Sequence, residues 1–183
     1  MEDLVHKMEK RRLKIAVTGP ESTGKTTLAE MLAKEFGASL VPEYAREFLK
    51  GRKPPYTLSD LEQIAQGQKE REQKELAESK GLLISDSEMT VLKIWSEHAF
   101  GYCLPIIERF WMEQEYDLYL LMNTDIPWEP DPLREHPHLR EHLFTTFKKY
   151  LDEMHIHYII ISGEGNQRTE QARNAILNLI NLA

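Results

Sequence analysis

The chain has 183 residues and a formal charge of −7, a length that suits one domain with a substantial core and an acidic balance that argues against a nucleic-acid partner, because phosphate backbones demand basic surface. Cys103 is the single cysteine, so neither a disulfide framework nor a cysteine-based metal site is expected. No apolar run reaches membrane-spanning length and the start carries no signal-peptide core, so a cytoplasmic protein without a membrane partner is expected.

In chain order, residues 1–12 read as a short charged lead-in and 13–183 as one domain. Leu13 to Thr18 is a short β-rich run. Residues 19–26, Gly-Pro-Glu-Ser-Thr-Gly-Lys-Thr, then fit G-x-x-x-x-G-K-[ST], the phosphate-binding loop. Thr27 to Lys34 has helical spacing, with Leu28, Met31 and Leu32 on one face. Strand, glycine-rich turn and helix is the order the chemistry needs. Gly19 and Gly24 permit backbone angles that a Cβ would forbid. The backbone N–H groups then turn inward around phosphate oxygens, and the helix N-terminus faces the same anion. Gly19, Glu21, Ser22, Thr23, Gly24, Lys25, Thr26 and Thr27 form the candidate ATP site. In it Lys25 reaches the β- and γ-phosphates and the Thr26 hydroxyl ligates Mg²⁺.

Four further strands are predicted at 38–42, 81–85, 118–122 and 157–161, and helices at 59–79, 88–99, 105–115, 138–154 and 167–181. The alternation implies an α/β three-layer sandwich with a five-stranded parallel sheet flanked by helices. Ser59 and Glu62 have the spacing of a capping box for the first of those helices. The charged run from Gln68 to Glu75 reads as a solvated helix face, and Trp95, Phe110 and Trp111 as core. His136, His138 and His142 read as a solvated cluster rather than a metal site. No motif speaks to oligomeric state.

The remaining chemistry clusters where strands end. Asp86 closes the third strand, as a Mg²⁺-holding carboxylate near the loop mouth would, and Glu88 adds a second acid two residues on. Glu43 follows the second strand, where an acceptor hydroxyl would meet the γ-phosphate; Arg46 lies one turn further. Residues 123–134 hold three prolines, which exclude regular structure, and the segment leaves a strand's carboxyl end, where open α/β sheets bind ligands. It reads as a lid loop. In it Trp128 stands among Asp125, Glu129 and Asp131, a setting that suits a flat cation, with Tyr44 and Tyr56 as further aromatic candidates. Arg134, ahead of Arg140, is the favoured lid arginine to neutralise a transferring phosphoryl group.

Taken in order, the phosphate loop, Pro-Glu-Tyr-Ala-Arg-Glu-Phe, Ile-Ala-Gln-Gly-Gln, Ser-Asp-Ser-Glu-Met-Thr and Asn-Thr-Asp-Ile-Pro-Trp-Glu-Pro-Asp-Pro-Leu-Arg resemble the ribosylnicotinamide kinase domain of NadR-like proteins, within the P-loop NTPase superfamily, over residues 13–180. The resemblance implies ATP- and Mg²⁺-dependent phosphorylation of the 5′-hydroxyl of nicotinamide riboside. It also implies that Trp128 and an aromatic partner sandwich the cationic ring, that Thr26 and Asp86 handle Mg²⁺, and that Glu43 or Asp86 is the base. Glu88 departs from the family's usual second Asp. The family's nucleotidyltransferase motif, G-x-x-x-P-x-H-x-G-H, is not in the chain, so adenylyl transfer is not expected of it. The rival expectations are a kinase for another nucleoside or small metabolite, and an ATP-binding switch that senses a nicotinamide nucleotide.

Overall fold

The computed structural model describes residues 12–53, 55–131 and 137–182. Its elements in chain order are β1 (Leu13–Thr18), α1 (Lys25–Phe36), β2 (Ser39–Val41), α2 (Tyr44–Phe48), α3 (Leu58–Glu78) and β3 (Leu82–Asp86). They continue with α4 (Met89–Phe100), α5 (Pro105–Glu113), β4 (Leu118–Met122), α6 (Arg140–Glu153), β5 (Tyr158–Ile161) and α7 (Asn166–Leu182). A 3-10 turn at Pro137–Leu139 leads into α6. The strands form one five-stranded sheet in the order β2-β3-β1-β4-β5, and every pairing is parallel.

Period-two alternation explains why these strands read as continuous apolar runs. Leu13, Ile15 and Val17 of β1, with Leu118, Leu120 and Met122 of β4, pack on α1 and α7. Ala16, Tyr119 and Leu121 face the other way, onto α4 and α6. Both faces are covered, so neither can be polar. A further apolar cluster joins α2, α3, α4 and α5, with Phe110 and Trp111 in it and Trp95 half-buried at its margin. The expected three-layer sandwich is therefore the observed one. Among the described residues, no helix is long and apolar enough to cross a membrane.

Two expectations about α3 are corrected. Its cap is Thr57, not Ser59. Thr57 Oγ1 accepts from Asp60 N at 3.1 Å, and Asp60 Oδ2 accepts from Thr57 N at 2.9 Å. The pattern S/T-x-x-acid occurs twice, two residues apart, and Arg52 favours the earlier one by donating to Asp60 Oδ1 at 2.8 Å. The charged run is not a wholly solvated face either. Leu61, Ile64, Ala65, Gln68 and Glu72 are all buried along α3, one stripe at helical spacing that turns from apolar to polar without leaving the interior. The buried carboxamide and carboxylate oxygens have partners: Gln68 Oε1 accepts from Tyr44 N at 2.7 Å, while Glu72 takes Lys14 Nζ at 2.7 Å and Tyr116 OH at 2.5 Å; Gln68 Nε2 is buried without a hydrogen-bond partner.

A second polar knot sits between α4 and α5. Lys93 is buried, pairs with Glu97 at 3.1 Å and with Glu108, and lies 4.6 Å from the Trp111 ring centre. Half-buried Cys103 joins this knot. Burial, then the Glu108 carboxylate, push its thiol up to about 12.

Candidate active site

β1 lies between β3 and β4, so the loop after β1 emerges at the centre of the sheet's carboxyl edge. Gly19 sits at φ +131° there, and a Cβ on it would lie 2.9 Å from Met122 O; only glycine lets the loop pass so close to β4. Gly24, at φ +79°, caps α1 in the left-handed region. Between them Thr23 Oγ1 donates to Pro20 O at 2.8 Å, and Lys25 Nζ donates to Gly19 O at 2.9 Å and Pro20 O at 2.7 Å. The loop is thus closed on its own lysine. Burial lowers the Lys25 pKa, opposed by Glu43, Asp86 and Glu21.

The loop lines a cavity of about 590 Å³, within the usual range of small-molecule sites. Gly19, Glu21, Ser22, Thr23, Gly24, Lys25, Thr26 and Thr27 all line it. Glu43 and Arg46 line it too, from the N-terminus of α2. Arg46 Nε donates to Glu43 Oε2 at 3.1 Å and its Nη1 to Asp131 Oδ2 at 3.2 Å. One guanidinium therefore joins Glu43 to the proline-rich loop that follows β4.

Asp86 lies behind this lining, 2% exposed. Burial raises its pKa to about 6, and the neighbouring Thr26 hydroxyl pulls it down. Its Oδ1 is buried without a hydrogen-bond partner. An orphaned carboxylate oxygen beside the loop hydroxyl fits a Mg²⁺ ion, since hard cations take oxygen ligands and buried acceptors need a donor or a cation.

Other sequence-derived candidates lie elsewhere. Glu88 is buried as the N-cap of α4 and accepts from Thr18 Oγ1 at 2.6 Å, Thr90 N at 2.6 Å and Thr90 Oγ1 at 2.7 Å; it is not among the cavity-lining residues. Tyr44 is not among them either. It packs on the Cα of Gly67, and a Cβ there would fall 2.2 Å from the ring. Trp128 is half-buried, with the Arg140 guanidinium 5.9 Å from its ring centre. The cation over that ring is one the chain supplies. Arg134 and His136 lie outside the described residues; His138 and His142 are exposed.

Tyr56 does line the cavity, and its ring meets Trp95 edge-on at 6.0 Å. Sequence reasoning placed Trp95 in the core and overlooked its neighbours Val91, Ile94 and His98, which share the cavity wall. The signal was available: residues 91, 94, 95 and 98 make one helical stripe that ends in a titratable side chain. Arg168 and Thr169 of α7, also overlooked, line the cavity as well.

The fold and loop define a P-loop protein of kinase-like architecture. The chain belongs to the family described as AAA domain, whose profile matches residues 14–168. It is similar to the trifunctional NAD biosynthesis/regulator protein NadR of Salmonella typhimurium strain LT2 and of Escherichia coli strain K12. In each case it is 27% identical over 124 residues, covering 66% of this chain and 30% of the relative. The chain thus spans less than a third of those curated relatives. A crystal structure of NadR protein in complex with NR superposes with a TM-score of 0.83 at 21% identity, over 97% of this chain and 54% of that one. NadR protein in complex with NAD and AMP-PNP gives 0.79 at 21% identity, over 96% and 52%. Thymidylate kinase from Ehrlichia chaffeensis gives 0.67 at 15% identity, over 91% of this chain and 99% of that one.

Proposed function

We propose that this chain is an ATP- and Mg²⁺-dependent kinase that phosphorylates the 5′-hydroxyl of nicotinamide riboside to nicotinamide mononucleotide. The observation that carries the reading is one continuous cavity with a phosphate loop on one wall and Glu43, Arg46, Tyr56 and Trp95 on the other. A triphosphate on the loop would present its γ-phosphate to an acceptor held against α2 and α4. The similarity to NadR, one of whose structures holds NR, supports the choice of acceptor, and the aromatic pair suits a flat ring.

Roles follow from position. The loop N–H groups and the N-terminus of α1 bind the phosphates. Lys25 leaves Gly19 O and Pro20 O for the phosphoryl oxygens, exchanging neutral acceptors for charged ones. Thr26 and Asp86 would hold Mg²⁺, which when bound neutralises phosphate charge. Glu43 reaches the cavity wall whereas Asp86 lies behind it, so Glu43 takes the acceptor's proton as the hydroxyl oxygen bonds to phosphorus and ADP departs. Arg46 orients that carboxylate. Asp131, bonded to Arg46, draws the lid loop over the acceptor and helps exclude water, which would otherwise compete as nucleophile.

The test is a nucleoside panel. Pure protein with ATP and Mg²⁺ should release ADP fastest with nicotinamide riboside; faster turnover on another nucleoside would overturn the choice of acceptor. Lys25→Ala should lower kcat by at least about 100-fold in the same assay, and retained turnover would mean the loop is not the phosphate site.

A further inference from the structure

Two consecutive carbonyls of the phosphate loop are each held by an arginine from a different helix. Arg140 opens α6 and is buried; its Nη2 donates to Ser22 O at 3.0 Å and its Nη1 to Ile126 O at 2.9 Å. Arg168, in the first turn of α7 and 6% exposed, donates from Nη1 to Thr23 O at 2.6 Å and from Nη2 to Asn123 O at 2.9 Å. Its Nε donates to Gly163 O at 2.6 Å, and it also pairs with Asp125. Each guanidinium thus grips one loop carbonyl and one carbonyl at the base of the lid.

A trans peptide unit is planar, so its N–H points opposite to its C=O. Fixing Ser22 O therefore fixes the Thr23 N–H, and fixing Thr23 O fixes the Gly24 N–H. Thr23 and Gly24 both line the cavity. With their partner carbonyls drawn back onto the arginines, these two N–H groups are directed away from them, as a phosphate cradle requires. Ser22 also sits at φ +57°, a region serine seldom occupies unless its surroundings hold it there. Glu129 N donates to Ser22 Oγ at 2.8 Å, a second tie from the lid to the same residue.

We propose that Arg140 and Arg168 are positioning residues for the nucleotide: by holding Ser22 O and Thr23 O they preset the N–H donors of Thr23 and Gly24, and they tie that setting to the base of the lid. They act through the backbone and do not touch the transferring phosphoryl group. The inference rests on the loop taking a nucleoside triphosphate, and it is independent of the acceptor.

Lysine separates this role from simple charge neutralisation. It keeps the positive charge but is a point donor that cannot grip two carbonyls in a fixed fork. The full-length protein is titrated with a fluorescent ATP analogue and Mg²⁺, without acceptor. Arg140→Lys and Arg168→Lys should each weaken binding about ten-fold, and should raise KM for ATP by a larger factor than they lower kcat. Affinity within about two-fold of wild type in both variants overturns the proposal. A structure of the wild-type chain with a non-hydrolysable ATP analogue decides the matter without relying on variants that fold. Both guanidinium groups should remain on Ser22 O and Thr23 O; either one found on the γ-phosphate overturns the proposal. Wild-type binding of the analogue without turnover of nicotinamide riboside would count against the acceptor assignment alone.

Discussion

Burial disfavours the charge on Asp86. Its carboxyl titrates near 6 because burial penalises the ionised form, against 3.8 for the ordinary group. Between those values the folded chain binds more protons than the unfolded one, so stability falls as pH rises. Below about 4 both states are protonated and nothing is lost. Above about 6 the loss is complete, on the order of 3 kcal/mol. Without Mg²⁺ or nucleotide, the thermal midpoint should therefore drop between pH 4 and 6.5, and Asp86→Asn should remove that part of the drop. Buried Glu88 titrates high for the same reason, so the difference between wild type and variant isolates Asp86. A parallel slope in both proteins would show that the Asp86 carboxylate is not destabilised. The position of Asp86 was legible as a carboxylate ending an apolar run. Glu88 was less so, because two residues decide whether an acid faces a ligand or caps a helix, and its bond to Thr18 across the sheet leaves no mark in the sequence.

At the scale of elements, α3 does two separable jobs, and single changes distinguish them. Its N-terminal box at Thr57 and Asp60 only holds the helix: Thr57→Ala should cost about 1 kcal/mol and leave both KM values unchanged. Gly67, further along, is where α3 meets the acceptor-side helix. Gly67→Ala would gain about 1 kcal/mol in helix propensity, but its Cβ would stand 2.2 Å from the Tyr44 ring. Overpacking of that kind costs about 1–3 kcal/mol, so the steric effect should win. The displaced ring would shift the start of α2, where Glu43 stands. KM for the acceptor should rise several-fold more than KM for ATP; equal changes would mean that the contact serves stability alone. The apolar half of α3 was readable from its period. The polar half was not, because Gln68 and Glu72 are buried only by virtue of Tyr44, Lys14 and Tyr116, which arrive from distant parts of the chain.

The whole molecule gathers its chemistry at one edge of a parallel sheet, where loops from β1, β2 and β4 meet. That much followed from strand spacing: β1 and β4 occupy the predicted residues, and the loop after β1 lines the cavity as its motif implies. The wall formed by α4 was legible only as a stripe, Val91, Ile94, Trp95 and His98 at helical spacing; that the stripe borders a cavity, and is not packed as core, depends on the loops of β1 and β2 that assembly brings opposite it. Trp95→Ala should therefore raise KM for the acceptor about ten-fold or more, on the scale of one lost ring contact, and Trp128→Ala less, because the Trp128 ring lies against Arg140. The reverse order, read from initial rates, would return the acceptor ring to the lid.

The thiol lodged between α4 and α5 has a practical consequence. With burial and the Glu108 carboxylate pushing its thiol up to about 12, Cys103 holds less thiolate at neutral pH than an ordinary cysteine, and it is the sole cysteine in the sequence. Maleimide chemistry should pass it by. A fluorophore attached at Glu129→Cys would then report lid movement from the otherwise native chain, with no background residue to remove.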